Sequence, residues 1–231
     1  MTQPKVYRQH RFRLPPGATD VLLVRHGESM PGRLDQPFPT WEGHADPPLA
    51  PDGERQAVAL ADRLIAAEID AIYVTPLQRT QQTVAPLATK LGIEPQVEPD
   101  LIEVHLGEWE GVTFRMKAEE RDPVAVRAFA EQTWEVIPGA ERSADFEARV
   151  QRGITRIARA HPDQHVVVVA HGGVIGQVLA LATGSQRFAF VGADNASISQ
   201  IVVDGGRWLV RRFNDTTHLD PALTLSGSPP Q

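Results

Sequence analysis

The chain has 231 residues, of which 42% are hydrophobic, and a formal net charge of −6 at pH 7. This length fits one large domain or one domain with an inserted cap. The acidic balance argues against a nucleic-acid partner, and no window of the sequence predicts a membrane span or a secretory signal. The absence of cysteine excludes disulfides and cysteine-ligated metal centres, and it fits a cytoplasmic location.

The sequence patterns predict an alternation of strands and helices between two tails, residues 1–19 and 220–231. In chain order they give a strand at 20–25, a loop at 27–50, a helix at 52–67, a strand at 70–75, a helix at 76–91, a strand or loop at 95–111, a helical segment at 114–132, a helix at 143–160, a strand at 165–170, a helix at 173–183 and three short strands near 188–191, 197–203 and 207–213. This alternation predicts an α/β fold with a mostly parallel sheet. The last two strands form a hairpin and add an antiparallel edge.

Two distant segments of the chain have the same organisation. Residues 21–24 form a continuous apolar run that leads into Arg25 and His26, and residues 166–170 form another that leads into His171 and two glycines. Continuous β-branched runs are typical of strands buried on both faces. In an open parallel sheet, ligands bind beyond the carboxyl ends of the strands. We therefore expect two imidazoles and one arginine at one edge of the sheet, an arrangement suited to phosphate chemistry.

The two histidines allow more than one interpretation at this point. A neutral imidazole at His26 is a competent nucleophile toward phosphorus, but the same residue could be a metal ligand or a structural histidine. His171 could equally be a core histidine whose hydrogen bonds are satisfied. The two glycines after it let the backbone turn sharply and approach a ligand closely.

A further cation follows the strand predicted at 70–75. Thr75 is suited to cap the next helix and Pro76 to begin it, which would place Arg79 about one turn inside. A guanidinium near a helix N-terminus favours an anion, although a solvated charge is the simpler explanation of Arg79. Pro86 is expected to kink or end this helix near Ala85.

A phosphoester leaving group needs a proton, and the segment 101–111 offers carboxyl groups that could supply it. A carboxylic acid among apolar neighbours can stay protonated near neutral pH. The segment contains Glu103, Glu108 and Glu110. Spacing alone does not choose among the three.

Taken together, these motifs identify a known family. Leu-Val-Arg-His-Gly-Glu-Ser begins at Leu23, Thr-Pro-Leu-Gln-Arg-Thr at Thr75, Leu-Ile-Glu at Leu101 with Gly-Glu-Trp-Glu-Gly six residues later, and Ala-His-Gly-Gly at Ala170. In this order they closely resemble the histidine phosphatase superfamily in its phosphoglycerate-mutase-like branch (branch 1), over about residues 20–219. The resemblance implies one catalytic domain, a three-layer α/β/α sandwich with a small helical cap insertion at about 112–140.

The resemblance also implies roles for individual residues. His26 would be the nucleophile that becomes phosphorylated, and Glu103 would act as general acid and then as general base. Arg25, Arg79 and His171, with Gly172 beside them, would bind the phosphoryl oxygens. Guanidinium suits this task because its planar fork matches phosphate and keeps its charge. Neither a metal ion nor a cofactor is expected.

The chain departs from the family pattern in the loop after His26. Members often carry an asparagine six residues after the nucleophile as a phosphate contact, whereas this chain has Gly32 followed by Arg33. Either Arg33 substitutes, or the loop takes another path and the contact is absent. The candidates for contacts to the leaving group are Arg33, Trp41, His44 and the helix predicted at 114–132, and His105 could also face the site.

The sequence favours hydrolysis of a small phosphomonoester metabolite. Gly-Glu-Trp-Glu-Gly at 107–111 resembles the phosphatase members, whereas mutases carry paired arginines in the insertion. The cations available here are separated along the chain: Arg115, Lys117, Arg121 and Arg127. The alternatives are a phosphoglycerate mutase and, less favoured, a non-catalytic phosphate-binding module. No nucleic-acid or membrane partner is expected, and a homodimer is left open.

Overall fold

The computed structural model describes residues 7–33 and 35–219, so residues 1–6 of the predicted N-terminal tail and the predicted tail at 220–231 lie outside the described residues. The strands are β1 (Thr19–Arg25), β2 (Thr40–Trp41), β3 (His44–Ala45), β4 (Ala71–Val74), β5 (Gln96–Val97), β6 (His165–Ala170), β7 (Ile198–Asp204) and β8 (Arg207–Asp215). The α-helices are α1 (Pro51–Leu64), α2 (Gln78–Leu91), α3 (Val112–Glu119), α4 (Pro123–Glu131), α5 (Ser143–Ala160) and α6 (Gly172–Thr183). Within these described ranges, no helix has both the length and the apolar character needed to cross a membrane.

Six strands form one mixed sheet in the order β5-β4-β6-β1-β7-β8. The first four strands in this order are parallel to one another, β7 is antiparallel to β1, and β8 is antiparallel to β7. The hairpin predicted at 197–213 is therefore confirmed as the source of the antiparallel edge. Strands β1 and β6 pair in the middle of the sheet with Arg25 opposite Ala170, so both chains leave the sheet at the same level.

The alternating side chains of the central strands feed two separate cores. In β6, Val166 and Val168 pack with the cluster that includes residues of α5 and α6, whereas Val167 and Val169 pack with residues of α1 and α2. Burying each such side chain contributes about 1.5–3 kcal/mol. Helices thus cover both faces of the sheet, and the predicted three-layer α/β/α sandwich is confirmed.

The helical segment predicted at 114–132 is two helices. Helix α3 ends at Glu119, and Arg121 then takes a positive φ of 53°. The Asp122 carboxylate accepts a hydrogen bond from Val124 N at 2.9 Å, and Pro123 occupies the first position of α4. Asp-Pro is a start signal for a new helix, so the single-helix prediction was wrong at this point.

Helix α2 differs from its prediction in where it begins. It starts at Gln78 rather than at residue 76, so Arg79 lies in its first turn. Of the two effects expected of Pro86, an end of the helix near Ala85 does not occur, and the helix continues to Leu91 as predicted. Proline removes one backbone hydrogen bond, but its neighbours Val84 and Leu87 are fully buried, and their packing holds the helix together.

Two further expectations changed in the structure. The strand predicted near 188–191 is absent, because Val191 N bonds to Phe188 O as in a turn. The apolar residues in this segment are explained by tertiary packing, since Phe188 packs on Trp134 and Phe190 on Phe213. The loop predicted at 27–50 contains the small hairpin of β2 and β3.

Candidate active site

The rings of His26 and His171 lie next to each other at the carboxyl edge of the sheet, in an edge-to-face arrangement. Their centroids lie 5.3 Å apart with an angle of 60° between the planes. The geometry follows from the register of β1 and β6, because each histidine is the first residue after its strand. His26 N donates a hydrogen bond to Ala170 O at 3.0 Å, which ties the two strand ends together.

The His26 ring is oriented by its own backbone. Its Nδ1 lies 2.7 Å from Gly27 O, and because a carbonyl can only accept, Nδ1 carries the hydrogen. The unprotonated nitrogen is therefore Nε2. Burial, helped by the positive charges of Arg79 and Arg25, holds the pKa of His26 well below its ordinary value. The ring is neutral at physiological pH, which is the state that a nucleophile requires.

The backbone around His26 is fixed on both sides. Gly27 N donates to Thr83 Oγ1 at 2.9 Å, and the Asn195 side chain donates to His26 O at 3.0 Å. A Cβ at Gly27 would lie 2.7 Å from Gly53 O, so this position needs glycine for the approach of helix α1.

Two guanidinium groups lie beside the imidazoles. Arg25 Nη1 donates to Ala193 O at 2.5 Å, and Arg79 Nη1 donates to Ala45 O at 2.8 Å. The Nε of each arginine is buried without a hydrogen-bond partner. Burial lowers the pKa of both groups, that of Arg79 to about 10, so both remain charged at neutral pH. Asp46 lies 3.9 Å from Arg79 and is its nearest carboxylate.

His171 is fully buried and has one engaged ring nitrogen. Its Nε2 lies 2.9 Å from Thr75 Oγ1, whereas its Nδ1 has no partner. Thr75 Oγ1 also accepts from Leu77 N at 3.3 Å and contacts Thr80 Oγ1 at 3.2 Å, so this hydroxyl can either donate to or accept from His171 Nε2. Burial and the charge of Arg79 hold the pKa of His171 well below its ordinary value.

The structure separates the three glutamates that the sequence left open. The Glu103 carboxylate accepts from Val104 N at 2.9 Å and from Gly173 N at 3.1 Å, at the start of helix α6. A Cβ at Gly173 would lie 2.5 Å from Glu103 Oε1, so glycine there makes room for this carboxylate. Glu108 is exposed. Glu110 accepts from the backbone N–H groups of Ala45 and Leu106, which ties the β2–β3 hairpin to the segment after Glu103.

Arg33 does not join this group. Its Nε and Nη2 both donate to the Asp35 carboxylate at 2.9 Å, and 67% of its side chain is exposed. Of the two alternatives for this loop, the structure shows the second, in which the chain takes another path. An adjacent carboxylate holds the Arg33 guanidinium at the surface, and a contact from Arg33 to bound substrate stays a prediction.

The other residues expected to contact the substrate lie near the site, but their side chains or backbone are partly buried. The His44 and His105 rings pack edge to face with centroids 5.0 Å apart. Both His44 nitrogens are buried without a partner, and burial lowers its pKa. His105 Nδ1 accepts from Gly107 N at 3.1 Å. Trp41 is half-buried and pairs with His44 in the hairpin, whereas Gly172 lies against Arg25, since a Cβ there would be 3.6 Å from Arg25 Nε.

Sequence reasoning did not single out two polar residues of the site, although one of them lies in the helix predicted at 114–132. Thr75 was interpreted as a helix cap, but its hydroxyl bonds to His171. Arg115 of helix α3 donates through Nη2 to Ser29 Oγ at 2.8 Å and contributes to lowering the pKa values of Arg25, His26 and Arg79. Position at a strand end could have marked Thr75. No local signal marks Arg115, because its place depends on how the insertion folds back.

Comparison with known proteins supports the same family. A model of the histidine phosphatase superfamily (branch 1) matches residues 21–216. The chain is 32% identical over 202 residues to phosphoserine phosphatase 1 of Hydrogenobacter thermophilus, covering 86% of this chain and 93% of that protein. It is 31% identical over 208 residues to a metal-independent phosphoserine phosphatase of Arabidopsis thaliana, covering 87% of this chain and 83% of that one.

Solved structures agree on the fold. The chain matches the mycobacterial glucosyl-3-phosphoglycerate phosphatase with a TM-score of 0.72 and 28% identity, over 86% of this chain and 100% of that chain. The matched family model spans both central strands and the segment that carries Glu103. The chain belongs to branch 1 of the histidine phosphatase superfamily.

Proposed function

We propose that the protein is a metal-independent phosphomonoester hydrolase that acts through a phosphohistidine at His26 on a small phosphorylated metabolite. The observation that carries the proposal is the pair of adjacent imidazoles, with ring centroids 5.3 Å apart, flanked by two arginines whose Nε atoms are buried. Phosphoryl transfer needs in-line positioning and stabilisation of charge on the equatorial oxygens. Arg25, Arg79 and His171 supply donors for that charge.

In the first half-reaction, Nε2 of His26 attacks phosphorus while the bond from phosphorus to the leaving oxygen breaks. Protonated Glu103 gives its proton to that oxygen, so the alcohol leaves neutral and Glu103 becomes a carboxylate. The hydrogen bond from Nδ1 of His26 to Gly27 O stabilises the positive charge of the phosphorylated ring.

In the second half-reaction, water attacks phosphorus and the phosphorus–nitrogen bond breaks. Glu103 accepts the proton that the water loses, and inorganic phosphate leaves. His26 is neutral again and Glu103 is again protonated, so the cycle closes with one ester and one water consumed.

The substrate class is part of the same proposal. Relatives named for phosphoserine and for glucosyl-3-phosphoglycerate make those two esters the first members of a substrate panel. Because the chain has a net charge of −6, an anionic substrate would be attracted by the local cations of the site rather than by the whole surface.

The absence of cysteine fits a reducing compartment such as the cytoplasm. No nucleic-acid or membrane partner is part of the proposal, and assembly as a homodimer is compatible with it.

Phosphate release from such a panel in excess EDTA tests the proposal. We expect release by the wild-type chain and none above background in His26→Ala. Activity that survives this substitution would contradict the mechanism. A requirement for a bisphosphate primer, with the ester isomerised and little phosphate released, would indicate a mutase, and phosphate binding without turnover would indicate a binding module.

A further inference from the structure

Arg115 is a half-buried cation without an ion pair. Its Nη2 donates to Ser29 Oγ at 2.8 Å and its Nη1 to Met30 O at 3.4 Å, and both acceptors are neutral. In the part of the chain that the structure describes, no carboxylate lies within 4.0 Å of its guanidinium. Guanidinium groups that are partly removed from water are normally compensated by a negative charge. The negative charge that acts on Arg115 is that of the exposed Glu28, which lies beyond this distance, so no carboxylate is in contact with its guanidinium.

The position of Arg115 points to the site that could provide this charge. Ser29, which holds it, is buried and lies three residues after His26. The positive charge of Arg115 also contributes to lowering the pKa values of Arg25, His26 and Arg79. Three groups of the candidate phosphate pocket are thus within its electrostatic reach.

The other arginines near the site are differently placed. Arg33 is exposed and bound to Asp35. Within the insertion, Lys117 pairs with Asp122 and Arg127 with Glu131. These cations are already in contact with a carboxylate, whereas the charge of Glu28 reaches Arg115 only from beyond contact distance.

We propose that Arg115 is a third guanidinium of the phosphate pocket and binds an equatorial oxygen of the phosphoryl group that is transferred. This inference rests on the proposed function, since it assigns a residue to the same pocket. The loop after His26 presents Gly32 and a solvent-facing Arg33, so the insertion helix supplies the donor that this loop does not. The planar fork allows one arm of Arg115 to stay on Ser29 while another donor faces the anion.

A carboxylate on the leaving group would be a different anion for the same arginine. The anchoring on Ser29 favours the phosphoryl group, because that segment begins at the nucleophile and the leaving group departs on the side opposite to it. The two assignments make different predictions for inorganic phosphate, which has no leaving group.

The test compares phosphate binding by the wild-type chain, Arg115→Ala and Arg115→Lys, using titration calorimetry with inorganic phosphate. Arg127→Ala is the matched control, because Arg127 lies in the same insertion but is exposed and paired with Glu131. We expect Arg115→Ala to weaken phosphate binding on the order of 10- to 100-fold, since a charge-assisted hydrogen bond is lost. Arg115→Lys should recover part of this loss because it keeps the charge without the fork, and the control should bind like wild type.

Kinetics with two esters, one with a neutral and one with an anionic leaving group, complete the test. The proposal expects the same loss of kcat/KM in Arg115→Ala for both. Unchanged phosphate binding, or a loss confined to the anionic leaving group, would overturn it. The titration requires no turnover, so weakened phosphate binding in a protein that hydrolyses no ester would refute the proposed function and retain the role of Arg115. If Arg115→Ala fails to fold, wild-type phosphate affinity in Arg115→Lys would also contradict the proposal.

Discussion

The edge of the sheet and the rim around it are built in different ways. At the edge, His26 and His171 follow buried central strands, and hydrogen bonds to the backbone or to Thr75 fix their rings. At the rim, the described residues of 27–50 and of the insertion at 112–140 form the short β2–β3 hairpin, two isolated bridges and two short helices. The edge therefore has the rigidity that an active site needs, whereas the rim is the part that can vary with substrate.

The difference also shows in how charge is held. Arg25 and Arg79 at the edge donate their hydrogen bonds to carbonyl oxygens of Ala193 and Ala45, and the nearest ion pair of Arg79, with Asp46, is long at 3.9 Å. Arg33 at the rim is neutralised by Asp35 next to it in the sequence. Carbonyl anchoring orients a guanidinium for an anion, whereas an adjacent carboxylate occupies it. Arg115 is the exception, since it lies in the rim but is anchored as an edge arginine is.

The largest effect should come from the carboxyl group at the edge. Glu103→Gln keeps the side-chain size but cannot exchange the proton, so we expect kcat to fall about 100- to 10,000-fold. Glu108→Gln is the matched control, because Glu108 lies in the same segment but is exposed, and its kcat should stay within about twofold of wild type. Equal losses of kcat in the two variants would contradict the catalytic role that the position of Glu103 at the edge implies.

An intermediate effect is expected in the pH dependence of stability. Burial lowers the pKa of His26 and His171 in the folded state, so below about pH 6.5 the unfolded chain binds more protons than the folded one. Their contribution to stability is therefore complete above that pH and is lost as the pH falls. Urea unfolding at pH 7.5, 6.5 and 5.5 should show a smaller decline for His26→Gln than for wild type. Parallel declines would mean that His26 is not protected from protons as described.

The smallest effect should come from the rim. Arg33→Ala removes a solvent-exposed ion pair, which contributes little to stability because water screens it. We expect kcat/KM within about twofold of wild type and an unchanged midpoint of urea unfolding. A loss of tenfold or more in kcat/KM would show that Arg33 enters the site when substrate binds. The functional distinction between edge and rim would then not hold for this residue.

The sequence predicted the edge well because local patterns determine it. A β-branched run buried on both faces ends at His26 and another at His171, and parallel pairing then brings the two rings together without further information. The same holds for the antiparallel hairpin around the turn at 205–206. Glu103 needed the family resemblance, because three glutamates share its segment and only packing against Gly173 distinguishes it.

The rim was predicted less well because long-range packing determines it. The turn at Phe188 follows from contacts with Trp134, which lies 54 positions earlier in the chain, and not from the local sequence pattern. The same aromatic group includes Phe114, the residue before Arg115, so packing of the insertion positions that arginine. Short-range periodicity contains no information about such contacts.

The most direct test of the account is to trap the phosphorylated enzyme. The chain would be mixed with a labelled phosphomonoester that it hydrolyses, quenched in base within milliseconds, digested and mapped by mass spectrometry and phosphorus NMR. Because Gly27 O engages Nδ1 of His26, the account predicts acid-labile phosphate on Nε2 of His26. Phosphate on Nδ1, on His171 or on any other residue, or turnover without a phosphorylated histidine, would contradict it.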